Sequence, residues 1–271
     1  MSDVIKLKVV DNNENIKLKH DEVEEVTKII EVPIPSADID KLVDRSITEL
    51  VTGVTKIGQY ALANSLNLTT ASGENVETID TRAFYYCRKL TEINFPNVVT
   101  INDSAFYNCP LTKDLTFNKL VTVGYSSFNS TKIETFNAPE LLTIDGSAFR
   151  DTPLKHINAP KVTSIGSYAF NSCLSLLEAI FPEVTYIDDS AFYNCNKATI
   201  IDLGKPTYIG SQAFNYVTGD VYIRTPTVCK MASATKYFKG KFLVPAELVD
   251  EYKAATNWSD WSDKIFAIEE E

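Results

Sequence analysis

Apolar residues recur along most of the chain with a period far longer than that of a helix or a strand. An Ile or Val, followed four positions on by Ala or Ser and then by a large apolar residue, starts at Ile57, Ile79, Ile101, Val123, Ile144, Ile165, Ile187 and Ile209. Successive starts lie 22, 22, 22, 21, 21, 22 and 22 positions apart. The pairs run Ala83-Phe84, Ala105-Phe106, Ser127-Phe128, Ala148-Phe149, Ala169-Phe170, Ala191-Phe192 and Ala213-Phe214, and only the first unit, with Ala61-Leu62, lacks the Phe. A fixed period of this length marks a repeat architecture, in which no unit buries its own core and stacking supplies the missing partner.

The second half of each unit follows L-x-x-I-x-F-P-x-V, best seen in Leu90, Ile93, Phe95, Pro96 and Val98. Its alternation predicts a short strand with one buried face, ended by the proline. The other half, as in IDTRAFYYC and IDDSAFYNC, places a short polar residue before the Ala-Phe pair and predicts an N-capped helical turn with Phe inward. The predicted fold is a solenoid with a parallel sheet along one side, short helical or irregular turns on the other, and a cap at each end. Eight units at about 4.8 Å per rung make a sheet on the order of 40 Å long.

Units such as IDTRAFYYCRKLTEINFPNVVT and IGSYAFNSCLSLLEAIFPEVTY resemble the BspA-type leucine-rich repeat of bacterial surface proteins, over roughly residues 45–228. The tail KFLVPAELVDEYKAATNWSDWSDKIFAIEE is similar to a C-terminal cap carried by part of that family in gut Firmicutes and prophage-like regions. The resemblance implies a leucine-rich-repeat solenoid, adhesion to host or matrix proteins, and a place on the cell surface or a phage particle.

Three regions follow. Residues 1–44 hold two alternating stretches, Ile5–Val9 and Ile16–Leu18, on either side of the turn signal Asp11-Asn12-Asn13-Glu14, then the strand-like EVTKIIEVPIP. They predict a β-hairpin that either caps the first rung or docks the array on a larger assembly. Residues 45–228 are the repeats. In 229–271, Phe242 and Val244 read as a last strand, Pro245-Ala246 opens a helix, and Trp258, Trp261, Ile265 and Phe266 cover the final rung.

Composition narrows the chemistry. The 271 residues carry 26 Lys+Arg against 36 Asp+Glu, a formal charge of −10, with no basic run to attract phosphate, so nucleic acid is excluded as an expected partner. Only His20 and His156 are available, too few for a His-rich metal site, and no cofactor or metal is expected. No apolar run is long enough to span a bilayer, and the N-terminus lacks the apolar core of a secretory signal. Cys87, Cys109, Cys173 and Cys195 all lie eight positions after the repeat Ile, where other units carry Ser65, Thr131, Thr152 and Val217. That phase reads as buried thiols in a small-residue slot, with the pairs Cys87/Cys109 and Cys173/Cys195 on neighbouring rungs; Cys229 stands outside it.

Candidate binding residues fall on two surfaces. The outward strand positions form one column containing Glu92, Asp114, His156 and Glu178 and a second containing Asn94, Thr116, Asn137, Asn158 and Asp202, with no Lys or Arg in either. Such a face accepts a neutral glycan through its amides and hydroxyls, or a basic protein patch through its carboxylates; a solvated sheet face has the same composition. Glu92 and Asp114, on adjacent rungs, are expected about 5 Å apart, a separation shared with retaining glycosidases but here without a pocket. The residues after each Phe supply Tyr85, Tyr86, Tyr107, Tyr193 and Tyr216 between asparagines, either as a stacking patch or as packing between rungs. The leading expectation is a non-enzymatic, adhesin-like module binding a host or matrix protein or a surface glycan, with no membrane insertion. A structural or receptor-binding part of a phage particle or surface assembly is the alternative, and a carbohydrate-active enzyme the remote one.

Overall fold

The computed structural model describes residues 29–30, 47–112, 114–233 and 236–269. The chain winds into a solenoid in which each rung contributes one strand to a first sheet and a two-residue strand to a second, every pairing being parallel. The second sheet has nine strands, from Lys56–Ile57 to Lys230–Met231. Its last strand belongs to a rung the sequence pattern misses, because Met231 takes the Ile slot and no Ala-Phe pair follows.

The connecting halves are not helical turns. Backbone N–H groups there donate alternately within and between rungs: Phe84 N to Ala105 O at 2.8 Å and Tyr86 N to Tyr107 O at 3.0 Å cross to the next rung, while Tyr85 N reaches Arg82 O and Cys87 N reaches Phe84 O, each at 3.1 Å. Two residues per rung must then turn left-handed to aim alternate groups along the solenoid axis, as Arg82 and Tyr86 do in one rung and Ser104 and Asn108 in the next. The ladder to the neighbouring rung replaces the i to i−4 bonds that a helix would make.

Inside, the repeated Phe rings form one stack. Centroids are 5.1 Å apart for Phe84–Phe106, 5.4 Å for Phe106–Phe128, 5.6 Å for Phe128–Phe149 and 5.5 Å for Phe149–Phe170, with planes within 15°. All are fully buried together with the Ile and Ala columns. The thiols donate to carbonyls of the rung before, Cys87 Sγ to Leu62 O at 3.0 Å, Cys109 Sγ to Phe84 O at 2.9 Å, and Cys173 Sγ to Phe149 O and Cys195 Sγ to Phe170 O, both at 3.1 Å. All five cysteines are free and buried. Burial pushes the Cys173 and Cys229 thiols up to about 12 and Cys109 and Cys195 well above their ordinary value.

The first sheet is interrupted. Ile29–Ile30, Glu49–Thr52, Thr70–Ser72 and Glu92–Asn94 form a four-stranded block, and eight strands from Leu115–Thr116 to Ile265–Ala267 form another. Between the core residues Leu90 and Ile93, or Ile133 and Phe136, two residues intervene; between Leu111 and Leu115 there are three, after a tight corner at Pro110. Thr112 N reaches Thr91 O at 3.3 Å, and the Glu92–Asn94 and Leu115–Thr116 strands belong to different sheets.

At the N-terminal end, Ile29–Ile30 lies parallel to Val51–Thr52 on the edge of the first block; the expected hairpin of residues 5–18 lies outside the described residues. At the other end, Val249–Ala254 is a short helix whose Tyr252 is fully buried, and Trp258 stands edge-on to Phe242 at 5.1 Å and donates to Cys229 O at 2.8 Å. Phe266 departs from its expected role: Ile265–Ala267 forms a further strand against Phe242–Val244, alternation turns Ile265 inward, and Phe266 is 43 % exposed.

Candidate functional site

The strand face carries the predicted columns in register. His156 lies between Thr135 and Glu178, and Asn137 between Thr116 and Asn158. Its polar groups serve one another from rung to rung. Asn158 Nδ2 donates to Asn137 Oδ1 at 2.6 Å, Lys155 Nζ meets Glu134 at 2.6 Å, and Arg224 holds Asp202 through two nitrogens, each at 2.8 Å. An arginine therefore neutralises a column that reads as free of cations: it enters from the next rung, two residues past the position opposite Asp202. Asn94 and Thr116 are exposed, but the sheet break separates them, and Asp114 is exposed outside any strand. Glu92 lies in the last strand of the four-stranded block and Asp114 just before the first strand of the eight-stranded one.

The turn edge is built differently. Tyr85 stacks on Tyr107 at 5.2 Å, and Tyr86 stands 4.5 Å from Tyr85 and 5.5 Å from Tyr107. The Arg82 guanidinium lies 5.5 Å from the rings of both Tyr60 and Tyr85, and Arg88 lies 5.1 Å over Tyr86. Burial first, and then the neighbouring Tyr86 and Tyr85, push the Tyr107 hydroxyl above its ordinary value. A second cluster toward the far end joins Tyr216 to Tyr237 at 4.9 Å and to Tyr193 at 5.3 Å.

Backbone conformation singles out several of these residues. The later left-handed position of each rung holds Asn64, Asn108, Ser130, Asp151, Ser172 and Asn194, but Tyr86 and Tyr216 at φ 57° and 65°. The earlier position holds Ser104, Ser126, Ser147 and Ser190, but Tyr60, Arg82 and Tyr168 at φ 58°, 57° and 59°. A residue other than Gly, Asn or Asp pays roughly 1 kcal/mol there, the serines included, and a bulky ring is the less common occupant. Sequence phase names Tyr85 and Tyr107; Tyr60, Arg82 and Arg88 were readable from the same phase, whereas Tyr237 sits in the unrecognised ninth rung. Of the intervening asparagines, Asn129, Asn171 and Asn215 are buried while Asn108 and Asn194 are half-buried, and Asn129 and Asn171 accept from the next residue's hydroxyl at 2.7 and 3.0 Å.

A family model described as BspA type leucine rich repeat region matches residues 45–152 and 143–237, the span that the rungs occupy. The chain belongs to this family. BspA-type repeats therefore account for the solenoid from its first full rung to its ninth. No curated protein matches the chain. Among solved structures it is similar to a leucine rich cell surface protein from Faecalibacterium prausnitzii, at 20% identity over 74% of this chain and 73% of that one, with a TM-score of 0.46. It is also similar to a leucine-rich repeat protein from Bacteroides ovatus, at 15% identity, 83% and 85% coverage and a TM-score of 0.40. The pneumococcal vaccine antigen PcpA aligns at 13% identity over 98% of this chain and all of that one, with a TM-score of 0.34. Among the described residues, no helix is long and apolar enough to cross a membrane and no group of three or more His, Cys, Asp or Glu could hold a metal ion.

Proposed function

We propose that this BspA-type protein is a non-enzymatic recognition module that presents its tyrosine-rich turn edge to a protein or a cell-surface glycan. The observation that carries the reading is the backbone at Tyr60, Arg82 and Tyr86. Three bulky side chains occupy left-handed positions that most sibling rungs give to Ser, Asn or Asp, although Tyr168, Gln212 and Tyr216 share them elsewhere, and here the rings and guanidinium group together on one edge. Rigid aromatic rings with few rotatable bonds and adjacent cations suit contact with a sugar face or a polar protein patch at low entropic cost. The strand face supports the same reading less well, because its side chains already answer one another across rungs. Chemistry on Glu92 and Asp114 is disfavoured by the sheet break between them.

The test is a screen of the intact protein against glycan and host-protein arrays beside a Tyr85→Ser, Tyr86→Asn variant. Asn suits the left-handed position, so the variant is expected to unfold at the same or a higher temperature while losing at least tenfold in binding. Equal binding by a folded variant would remove the tyrosine edge from the account.

A further inference from the structure

We infer that the groove beside the first tyrosine cluster is a binding site for an acidic polysaccharide, one that bears carboxylate or sulfate groups on alternate sugars. The inference rests on the recognition reading and names a ligand class for it. The groove has a volume of about 560 Å³ and is lined by Arg88, Asn108, Pro110, Ser130, Lys132 and Asp151. Its origin is visible in the repeat phase. The position that follows the small-residue slot is Arg88 in one rung, Pro110 in the next and Lys132 in the third. Two long cationic side chains thus flank a short proline, which leaves a trough between them.

The two cations are two rungs apart, about 10 Å along the solenoid axis, a spacing comparable to the disaccharide repeat of an alternating polysaccharide. Arg88 and Lys132 are both exposed, and among the described residues neither has an ion pair. They differ in this from Lys56, Lys155, Lys161, Lys205 and Arg224, each of which meets a carboxylate of a neighbouring rung at 2.9 Å or less. Tyr86 lies under the guanidinium of Arg88, which places the first tyrosine cluster beside the trough. Asn108 and Ser130, both left-handed, border the floor with an amide and a hydroxyl suited to sugar hydroxyls. Asp151 closes the far end, with Arg150 at 3.3 Å. A chain of formal charge −10 repels polyanions in general, so attraction to one requires a local site of this kind.

The experiment is isothermal titration of the full chain with three probes: hyaluronan oligosaccharide, which carries carboxylates alone, heparin oligosaccharide, which adds sulfates, and neutral dextran. Binding of hyaluronan, heparin or both, without dextran, is the expected result, and the difference between the two arms identifies the anionic group. Arg88→Ala and Lys132→Ala are each expected to weaken binding about tenfold, the loss of one charge-assisted contact, and together to abolish it. Tyr85→Ser, a change outside the trough lining, reports the tyrosine edge separately. If neither polyanion binds, or if the Arg88→Ala, Lys132→Ala protein binds as well as the parent, the groove assignment is wrong. A partner found on the arrays and lost in the tyrosine variant would then leave the recognition reading standing without it.

Discussion

The strand face and the turn edge are made by the same repeat, yet they present opposite surfaces. On the strand face parallel register sets each side chain beside its counterpart, and the polar groups close on one another: Asn137 with Asn158, Glu134 with Lys155, Asp202 with Arg224. On the turn edge the ladder is carried mainly by backbone groups, with a few side-chain bonds such as Arg82 Nη1 to the Tyr60 hydroxyl and Tyr125 N to Asp103 Oδ1, so many side chains differ from rung to rung. Aromatic rings and exposed cations gather there, as at Tyr60, Arg82, Tyr85, Tyr86, Arg88 and Tyr107. In a solenoid, then, register favours self-satisfied columns, and a surface for a partner arises where a column is broken.

Removing the core that both surfaces share breaks the comparison most severely. Phe149 is fully buried between Phe128 and Phe170, so Phe149→Ala is expected to lower unfolding stability by about 3–5 kcal/mol, measured by denaturant titration, and to weaken binding at either surface. A smaller change would contradict the continuous ring stack.

Alkaline pH attacks the same core more gradually. Burial raises the Cys173 and Cys229 thiols to about 12 in the folded chain, against roughly 8.5 for a free thiol. Their contribution is complete below the unfolded value and is lost as pH rises toward the folded one, so the melting temperature should fall progressively above about pH 9. Native protein at pH 8 should leave a thiol reagent unreacted; prompt labelling would show that the cysteines are not sealed in the wall.

The repeat itself predicts a gain. Ser127 takes the slot that sibling rungs give to Ala, it is fully buried, and among the described residues its hydroxyl has no hydrogen-bond partner. Ser127→Ala should stabilise the protein by about 1 kcal/mol, by removing an unanswered polar group. A loss of stability would mean that the hydroxyl is bonded after all. The smallest effect belongs to the strand face: Arg224→Ala breaks a half-exposed pair and should cost no more than about 1 kcal/mol, with binding unchanged.

Much of the architecture is readable in the residues. The Ile, Ala and Phe columns fixed the rung length and the buried face, since a stacked unit has one inward phase. Three features resisted. The turns read as helical because a short polar residue before Ala-Phe suits an N-cap, whereas the N–H groups turn to the next rung instead. The extra residue between Leu111 and Leu115 is hidden inside a unit of ordinary length, and the sheet break falls beside it, between Glu92–Asn94 and Leu115–Thr116. The turn-edge cluster was legible in Tyr85, Tyr86, Tyr107, Tyr193 and Tyr216, but Tyr60 and Arg82 were not singled out, because left-handed backbone leaves no mark on a Tyr or an Arg in sequence.

The central claim is that recognition sits on the turn edge while the strand face is occupied with itself. The direct measurement is a parallel binding titration, against the partner that the arrays return, of two folded variants: Tyr85→Ser with Tyr86→Asn, and Asn158→Lys with Glu178→Lys. Loss of binding in the first, with the second within about twofold of the parent, is the predicted result. Loss in the strand-face variant alone would place recognition on the sheet and contradict the account.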